Sequence, residues 1–197
     1  MWNRLHPRYI LNKIYYFYTF HQIRGGIDIS SKILGKKYLH VGKNFCSGKH
    51  LWLEAVTEYK GQYFQPMLII KDNVSFSDFN HIGAVNYVEI GNNVLFGSKC
   101  YVTDHNHGIY SGDNEQSDPD IPPVQRMLTC DKKVIIEDNV WLGDNVTVLP
   151  GVTIGKGSII GSNAVVAKSI PPYSIAVGVP AHVIKKWNPV HRQWEKI

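Results

Sequence analysis

Two histidines separated by one residue stand where a regular pattern in the sequence stops. His105 and His107 lie in the segment TDHNHG, residues 103–108, and the pattern resumes near residue 134. Imidazole titrates near neutral pH, so a histidine can take the proton from a hydroxyl group, which is a poor nucleophile until it loses that proton. The break therefore indicates acid–base chemistry with His105 as the candidate base, and a surface histidine without function is the alternative.

The interrupted pattern is a repeat of six residues. From residue 136 it reads IEDNVW LGDNVT VLPGVT IGKGSI IGSNAV VAKSIP, and every hexad opens with an aliphatic residue. An earlier block, residues 70–102, keeps the same phase apart from one slip, and a weaker hexad begins at Val41. A period of six fits neither a helix nor a plain strand, but it fits short strands joined by sharp turns at glycine or asparagine.

Three such strands close a triangular coil of about 18 residues, and successive coils stack at the strand spacing of about 4.8 Å. Residues one coil apart then lie over one another and form a one-dimensional core. The expected pairs are Ile136 with Ile154, Leu142 with Ile160, and Val148 with Val166. The sequence therefore predicts an all-β chain folded as a parallel β-helix, and spacing alone leaves the hand of the coil open.

The composition is that of an ordinary globular protein. Hydrophobic residues make up 44% of the chain, and its three cysteines form no C-x-x-C pair. An odd number of cysteines without such a motif argues against a disulfide scaffold and predicts a reducing, cytoplasmic compartment.

The N-terminal segment is basic and aromatic. Residues 1–24 carry four cations, seven aromatic side chains and no acid. Their longest uncharged run is too short to span a bilayer and lacks the cleavage site of a signal peptide. We expect the segment either to pack on its own domain as a helix or strand, or to rest on anionic lipid at the inner face of the membrane. No nucleic-acid-binding motif accompanies the charge, so a nucleic-acid partner is not expected.

The hexads, TDHNHG, VWLGDNVTVLPGVTIG and the ending IPPYSIAVGVPAHVIKK together resemble the left-handed β-helix acyltransferases. Within that family they are similar to the O-acetyltransferases of bacterial surface polysaccharides, including O-antigen and capsule, and to galactoside and maltose acetyltransferases. The resemblance implies a left-handed parallel β-helix with an extruded loop and a short C-terminal helix. It also implies homotrimers with active sites between subunits, a carbohydrate acceptor, acetyl-CoA as the acyl donor and no metal.

We expect the chain to have three parts. Residues 1–38 form the basic aromatic segment, residues 39–181 the β-helix acyltransferase domain, and residues 182–197 a basic tail or helix. The extruded loop spans residues 103–133, which is long for an ordered connection, and such loops are usually functional or disordered. Its six acids are Asp104, Asp113, Glu115, Asp118, Asp120 and Asp131. This acidity makes it a poor site for phosphates, so we assign it to the acceptor side and the subunit interface, with an insertion of no function as the alternative.

The resemblance implies that His105 deprotonates a sugar hydroxyl, because the family's catalytic histidine follows a valine-containing strand and precedes the extruded loop. Along a strand His107 would project on the same face, where it could contact the acceptor or brace the loop. The same alternation predicts that Asp104 points away from His105. We therefore expect the group that orients the imidazole to come from a neighbouring coil.

The resemblance also assigns residues to the two substrates. Trp141 is expected beside the acetyl end of coenzyme A. The residues expected at its pantetheine and phosphates are Asp144, Ser162, Ala167, Lys168, His182 and Lys185. Asp78 and Asn86 match positions that hold the acceptor in galactoside enzymes, where the order is asparagine then aspartate, so the exchange indicates a different sugar. Turn formation is the alternative role for both.

Two other functions are compatible with the coil. A γ-type carbonic anhydrase has the same architecture and would use His81, His105 and His107 as zinc ligands. Trp141, the Pro171–Pro172 turn and the basic ending VIKKW favour the transferases instead. A β-helix without catalytic activity is the third possibility.

Overall fold

The computed structural model describes residues 6–112 and 116–197, and short parallel strands build three ladders, one for each side of a prism. The first ladder contains Gly25–Gly26, Phe45–Ser47, Ser75–Phe76, Leu95–Phe96, Trp141–Leu142, Ile159–Ile160 and Ser174–Val177. The second contains Lys32–Leu34, Trp52–Ala55, His81–Ala84, Tyr101–Thr103, Thr147–Val148 and Val165–Val166. The third contains Leu39–Val41, Met67–Ile70, Tyr87–Ile90, Val134–Ile136 and Thr153–Ile154. Arg4 of the basic segment and Asp113 and Glu115 of the loop lie outside the described residues.

Columns of aliphatic side chains fill the prism in the register that the hexads predict. The aligned pairs are Ile136 with Ile154, Leu142 with Ile160, and Val148 with Val166. All six side chains are fully buried, and burying each contributes about 1.5–3 kcal/mol. The predicted stacking of coils is therefore confirmed.

Asparagines form a column at the corner that leads into the first ladder. Asn44, Asn73, Asn93 and Asn139 have φ values between 58° and 60°, a left-handed conformation that asparagine adopts more readily than most residues. Each Nδ2 donates to the Oδ1 of the next asparagine, over 2.8, 3.1 and 3.1 Å. The column therefore stabilises each turn and links it to the next coil.

Asn93→Ala is expected to lower the free energy of unfolding by about 1–3 kcal/mol, because alanine is strained at this φ and two side-chain hydrogen bonds are lost. Chemical denaturation of this variant and of Asn93→Gly separates the two causes. Glycine keeps the backbone conformation at no steric cost and loses only the hydrogen bonds. Equal losses in both variants would show that the backbone contributes nothing.

Two hairpins leave the prism at the corner between the second and third ladders. Glu58–Tyr59 pairs with Gln62–Tyr63 in one, and Asn106–His107 pairs with Leu128–Thr129 in the other. The second hairpin begins the extruded loop, which lies where the hexads stop. The first hairpin was not predicted. Single 3₁₀ turns lie at Lys36–Tyr38 and Pro123–Gln125.

A helix of 14 residues, Pro7–Phe20, lies across the N-terminal end of the prism. Tyr16 is fully buried against Gly25 of the first ladder. Tyr15 Oη donates to the carbonyl oxygen of Ser31, 3.0 Å away, just before the second ladder. Gln22 Nε2 donates to the carbonyl oxygen of Val41, 2.5 Å away, in the third ladder. The helix therefore packs on the first coil, and Gln22, just after the helix, extends the contact to the third ladder, as expected for a segment packed on its own domain.

The same end is fixed by an ion pair. Arg8 donates through Nε and Nη2 to the two carboxylate oxygens of Asp28, at 2.9 and 2.7 Å, and this guanidinium holds the pKa of Asp28 well below its usual range.

The parallel strands begin at this end of the prism, at Gly25, and not at the expected boundary near residue 39. Strand pairing needs only backbone groups, so these first strands form without a recognisable hexad, and the helix covers them. No helix in the described ranges is long and apolar enough to span a bilayer.

The C-terminal tail is a hairpin of strands, and the prediction of a short helix there is wrong. His182–Asn188 pairs antiparallel with Ser174–Val177, and Gln193–Lys196 pairs with His182–Asn188. Exposed and half-buried side chains alternate along the first five residues of HVIKKWN, which is the period of a strand. The first ladder therefore ends in antiparallel strands.

Candidate active site

His105 follows the strand Tyr101–Thr103 at the corner between the second and third ladders. Its side chain is 13% exposed. Nδ1 lies 2.9 Å from Thr103 Oγ1 and 3.2 Å from Asp104 Oδ1, whereas Nε2 has no hydrogen-bond partner in the described part of the chain. One ring nitrogen is thus held in place and the other is available.

Asp104 holds the imidazole together with Thr103, contrary to the prediction that Asp104 points away. Its carboxylate is completely buried and accepts hydrogen bonds from the backbone N–H groups of Val85, Asn86 and Tyr87, at 2.9, 2.8 and 2.6 Å. The alternation rule failed because the strand ends at Thr103 and the chain bends at Asp104. The three donors belong to the corner of the preceding coil, so the stack itself fixes the carboxylate.

This arrangement determines which nitrogen can act as a base. The carboxylate is surrounded by N–H donors and presents an acceptor to His105, so we assign the imidazole proton to Nδ1. Nε2 then keeps its lone pair. An imidazole oriented by a buried carboxylate can take up a proton at the free nitrogen, and the carboxylate stabilises the imidazolium that forms.

A second carboxylate lies beside the imidazole. A Cβ at Gly83 would lie 3.6 Å from His105 Cε1 and 3.7 Å from Glu54 Oε1, so both side chains lie over this buried glycine. The sequence reasoning missed Glu54, although an acid on the outward face of the strand WLEA, two coils before the break, was a possible signal. Glu54 Oε1 also lies 3.0 Å from His81 Nε2, so this carboxylate is held on the outer surface of the second ladder near His105.

The histidines do not form a zinc site. His81 Nε2 lies 3.0 Å from Glu54 Oε1, and its ring stacks on Trp52 with centroids 3.9 Å apart. In the described residues no group of three His, Cys, Asp or Glu side chains is placed to hold a metal ion. The carbonic anhydrase alternative therefore finds no support.

The unpredicted hairpin braces the extruded loop beside His107. Tyr59 packs edge-on against His107, with ring centroids 5.2 Å apart, and its hydroxyl donates to Val124 O at 2.7 Å. Gln62 exchanges two hydrogen bonds with the backbone of Leu128, at 2.7 and 3.1 Å. His107 is exposed, and its ring lies 6.4 Å from that of His105. It is therefore braced on one side and open on the other. The tight Lys60–Gly61 turn, with positive φ at both residues, was the sequence signal for this hairpin.

The two expected acceptor residues lie in different places. Asn86 is at the site, because its backbone N–H binds Asp104 and its side chain is partly exposed beside it. Asp78 precedes the strand His81–Ala84, and Asn86 follows it. The four residues of this strand span roughly 13 Å at about 3.3 Å per residue, so they keep Asp78 away from Asn86. Asp78 Oδ1 accepts from the Lys49 backbone N–H at 2.7 Å, so its side chain serves the turn.

The residues expected at the donor lie on the C-terminal coils, away from His105 in the same chain. Trp141 is 49% exposed on the first ladder, whereas His105 follows the second. Asp144 and Ser162 occupy one corner, where Ser98 N donates to Asp144 Oδ1 at 2.6 Å and Asp144 N donates to Ser162 Oγ at 3.1 Å. Both side chains therefore also stabilise turns.

The remaining donor residues gather at the C-terminal end of the prism. Ala181 N donates to Val165 O at 2.8 Å, which places the turn before His182 against the strand that precedes Ala167 and Lys168. Ala167, Lys168 and His182 are exposed, and Lys185 is half-buried. Neither lysine pairs with a carboxylate within the described ranges, so both charges remain available to an anion.

Comparisons with known proteins identify the family of the chain. A family model for the bacterial transferase hexapeptide (six repeats) matches residues 133–168, and one for the hexapeptide repeat of succinyl-transferase matches residues 87–114. The putative lipopolysaccharide biosynthesis O-acetyl transferase WbbJ of Escherichia coli K12 is 42% identical over 158 residues, covering 80% of this chain and 76% of the relative.

Solved structures share the fold. A maltose O-acetyltransferase from Clostridium difficile 630 is 26% identical with a TM-score of 0.52, over 93% of this chain and 79% of that one. AntD, an N-acyltransferase from Bacillus cereus solved as a mutant with dTDP-4-amino-4,6-dideoxyglucose and coenzyme A, is 22% identical with a TM-score of 0.58, over 85% of each chain. The prediction of a left-handed parallel β-helix is confirmed. The chain belongs to the bacterial hexapeptide-repeat acyltransferases.

Proposed function

We propose that the protein transfers the acetyl group of acetyl-CoA to a hydroxyl of a sugar in a surface polysaccharide or its precursor. The observation that carries this proposal is the imidazole of His105, whose Nδ1 faces the buried Asp104 while Nε2 has no partner among the residues that the structure describes. The similarity to an O-acetyl transferase of lipopolysaccharide biosynthesis supports both the acetyl group and the class of acceptor.

In the proposed reaction His105 acts as general base and then as general acid. Nε2 takes the proton of the acceptor hydroxyl as its oxygen attacks the thioester carbonyl, and the imidazolium is stabilised by Asp104. The tetrahedral intermediate collapses as the C–S bond breaks. The proton on Nε2 then passes to the departing thiolate, so that an ester and free coenzyme A are formed and the imidazole is neutral again.

The donor is proposed to lie along the C-terminal coils. Lys168 and Lys185 have no carboxylate partner among the described residues, and their charges suit the phosphates of the donor. The exposed ring of Trp141 suits its acetyl end. The donor contacts of Asp144, Ser162, Ala167 and His182 remain part of this proposal. The coenzyme A bound to AntD supports the class of donor.

Two copies of the chain are proposed to complete each site. Trp141 and His105 leave the prism from different sides, so a neighbouring copy must bring the donor surface to the base. We therefore propose a homotrimer with its active sites between subunits. The extruded loop, braced by the first hairpin, contributes to this contact.

The acceptor is proposed to bind over His105, between Glu54 and the braced loop. Glu54, Asn86 and His107 border this position and can hydrogen-bond sugar hydroxyls. Asp78 reaches the acceptor only if the sugar extends along the strand His81–Ala84. We propose that the acceptor is carried on a lipid and that the enzyme works at the inner face of the membrane.

A thiol-release assay tests the proposed reaction. The full chain is incubated with acetyl-CoA and each member of a panel of sugars, lipid-linked oligosaccharides and polysaccharides, and free coenzyme A is measured. We expect release that depends on one class of acceptor and is matched by its acetyl ester. No acceptor-dependent release from any member, by a folded chain, would contradict acetyl transfer to a sugar.

A further inference from the structure

The N-terminal helix has two different faces. One packs on the prism through Tyr16 and its neighbours. The opposite face is an apolar stripe formed by Ile10, Leu11, Ile14, Phe17 and Tyr18, each between 44% and 71% exposed. These residues follow the spacing of adjacent helical turns, so they form one continuous surface. Large apolar side chains that are clustered and exposed mark a site of contact.

The apolar stripe points away from the prism. The packed face of the helix contacts Gly25 and Ser31 of the first coil, and Gln22, just after the helix, donates to Val41 O. The stripe lies on the other side of the helix, so it looks outward along the axis of the prism. A flat surface approaching this end would meet the stripe before any part of the coils.

The surroundings of the stripe are strongly cationic. Residues 1–53 hold nine Lys and Arg and a single acid, Asp28, whereas residues 54–197 hold twelve Lys and Arg and fifteen acids. Asp28 is buried and paired with Arg8. The exposed cations of this end are Arg24, Lys32, Lys36, Lys37 and Lys43. Described residues 6–53 therefore expose an apolar stripe with cations and no acid.

We infer that this end of the prism is a docking surface for an anionic lipid bilayer. Apolar and aromatic side chains enter the boundary of the headgroups while lysines and arginines bind the anionic lipid, and the two contributions reinforce each other. A second copy of the chain fits the stripe poorly, because two ends of the same sign would repel each other. This inference does not depend on the proposed acetyl transfer, and it identifies the surface that would bring the enzyme to a lipid-linked acceptor.

Co-sedimentation of the full chain with vesicles tests the inference. We expect at least tenfold stronger partition into vesicles of phosphatidylcholine with phosphatidylglycerol than into phosphatidylcholine alone, and weaker binding as salt rises. Ile14→Glu should lower binding to the anionic vesicles at least tenfold, because it places a negative charge in the stripe. The double variant Lys36→Glu/Lys37→Glu should lower it through charge alone.

Val190→Glu is the matched control. It makes the same chemical change at an exposed apolar residue of the C-terminal hairpin and should leave binding unchanged. Circular dichroism should show that all variants are folded, and thiol release with a soluble acceptor should be the same in all of them. The inference is overturned if the unmodified chain does not prefer anionic vesicles. It is equally overturned if the Ile14→Glu variant binds anionic vesicles as well as the unmodified chain. It is also wrong if Ile14→Glu dissolves an assembly that forms without lipid, since a second copy then covers the stripe.

Discussion

Replacing His105 with alanine is expected to lower kcat for acetyl transfer by a factor of about 10² to 10⁴, the usual contribution of a general base. The loss should appear in kcat with little change in the KM of either substrate, because the imidazole acts on the proton that moves in the transition state. Steady-state thiol release with the best acceptor of the panel measures both constants.

His40→Ala is the control for this variant, since it removes an exposed imidazole from the third ladder, far from the loop. It should keep the full rate. A His105→Ala enzyme with more than a tenth of the normal kcat would show that another group removes the proton, and His107 or Glu54 would be the next to replace.

Asp104→Asn is expected to impair both activity and stability. The carboxylate accepts three backbone N–H groups and contacts His105 Nδ1. An amide turns an N–H₂ group toward some of these donors, which should lower the free energy of unfolding by about 1–3 kcal/mol. It also removes the charge that orients the imidazole and stabilises its protonated form, so kcat should fall by ~10²-fold or more. Chemical denaturation and steady-state kinetics measure the two effects.

A second carboxylate-to-amide change separates the two effects. Asp72 also accepts a backbone N–H, that of Lys43 at 2.7 Å, but it does so at a corner remote from the loop. Asp72→Asn should lower stability and leave kcat unchanged. If Asp104→Asn lost stability to the same extent and kept its kcat, Asp104 would be a structural residue only.

The ladders could be predicted from sequence because a six-residue period is local. Each aliphatic position repeats the environment of the one before it, so the register of Ile136 and Ile154 follows from counting. The position of the candidate base follows from the same count, since His105 stands where the repeat stops, and its catalytic role stays a proposal.

The errors arose where tertiary contacts override local pattern. Asp104 turns inward because the corner of the preceding coil offers three N–H donors, and no property of the segment TDHNHG reveals them. The tail forms strands because Ser174–Val177 presents an edge with which it can pair. The bracing by Tyr59 joins segments far apart in the chain. The approach of Trp141 to His105 requires a second copy, so it stays a proposal.

The C-terminal hairpin has a consequence for the behaviour of the protein in solution. A stack of parallel strands is self-complementary, and an open last coil would be a template on which further molecules could polymerise into fibrils. Here the outermost strand, Gln193–Lys196, runs antiparallel and carries Glu195 and Lys196, while the helix closes the other extremity. We therefore expect both ends of the first ladder to disfavour the growth of filaments.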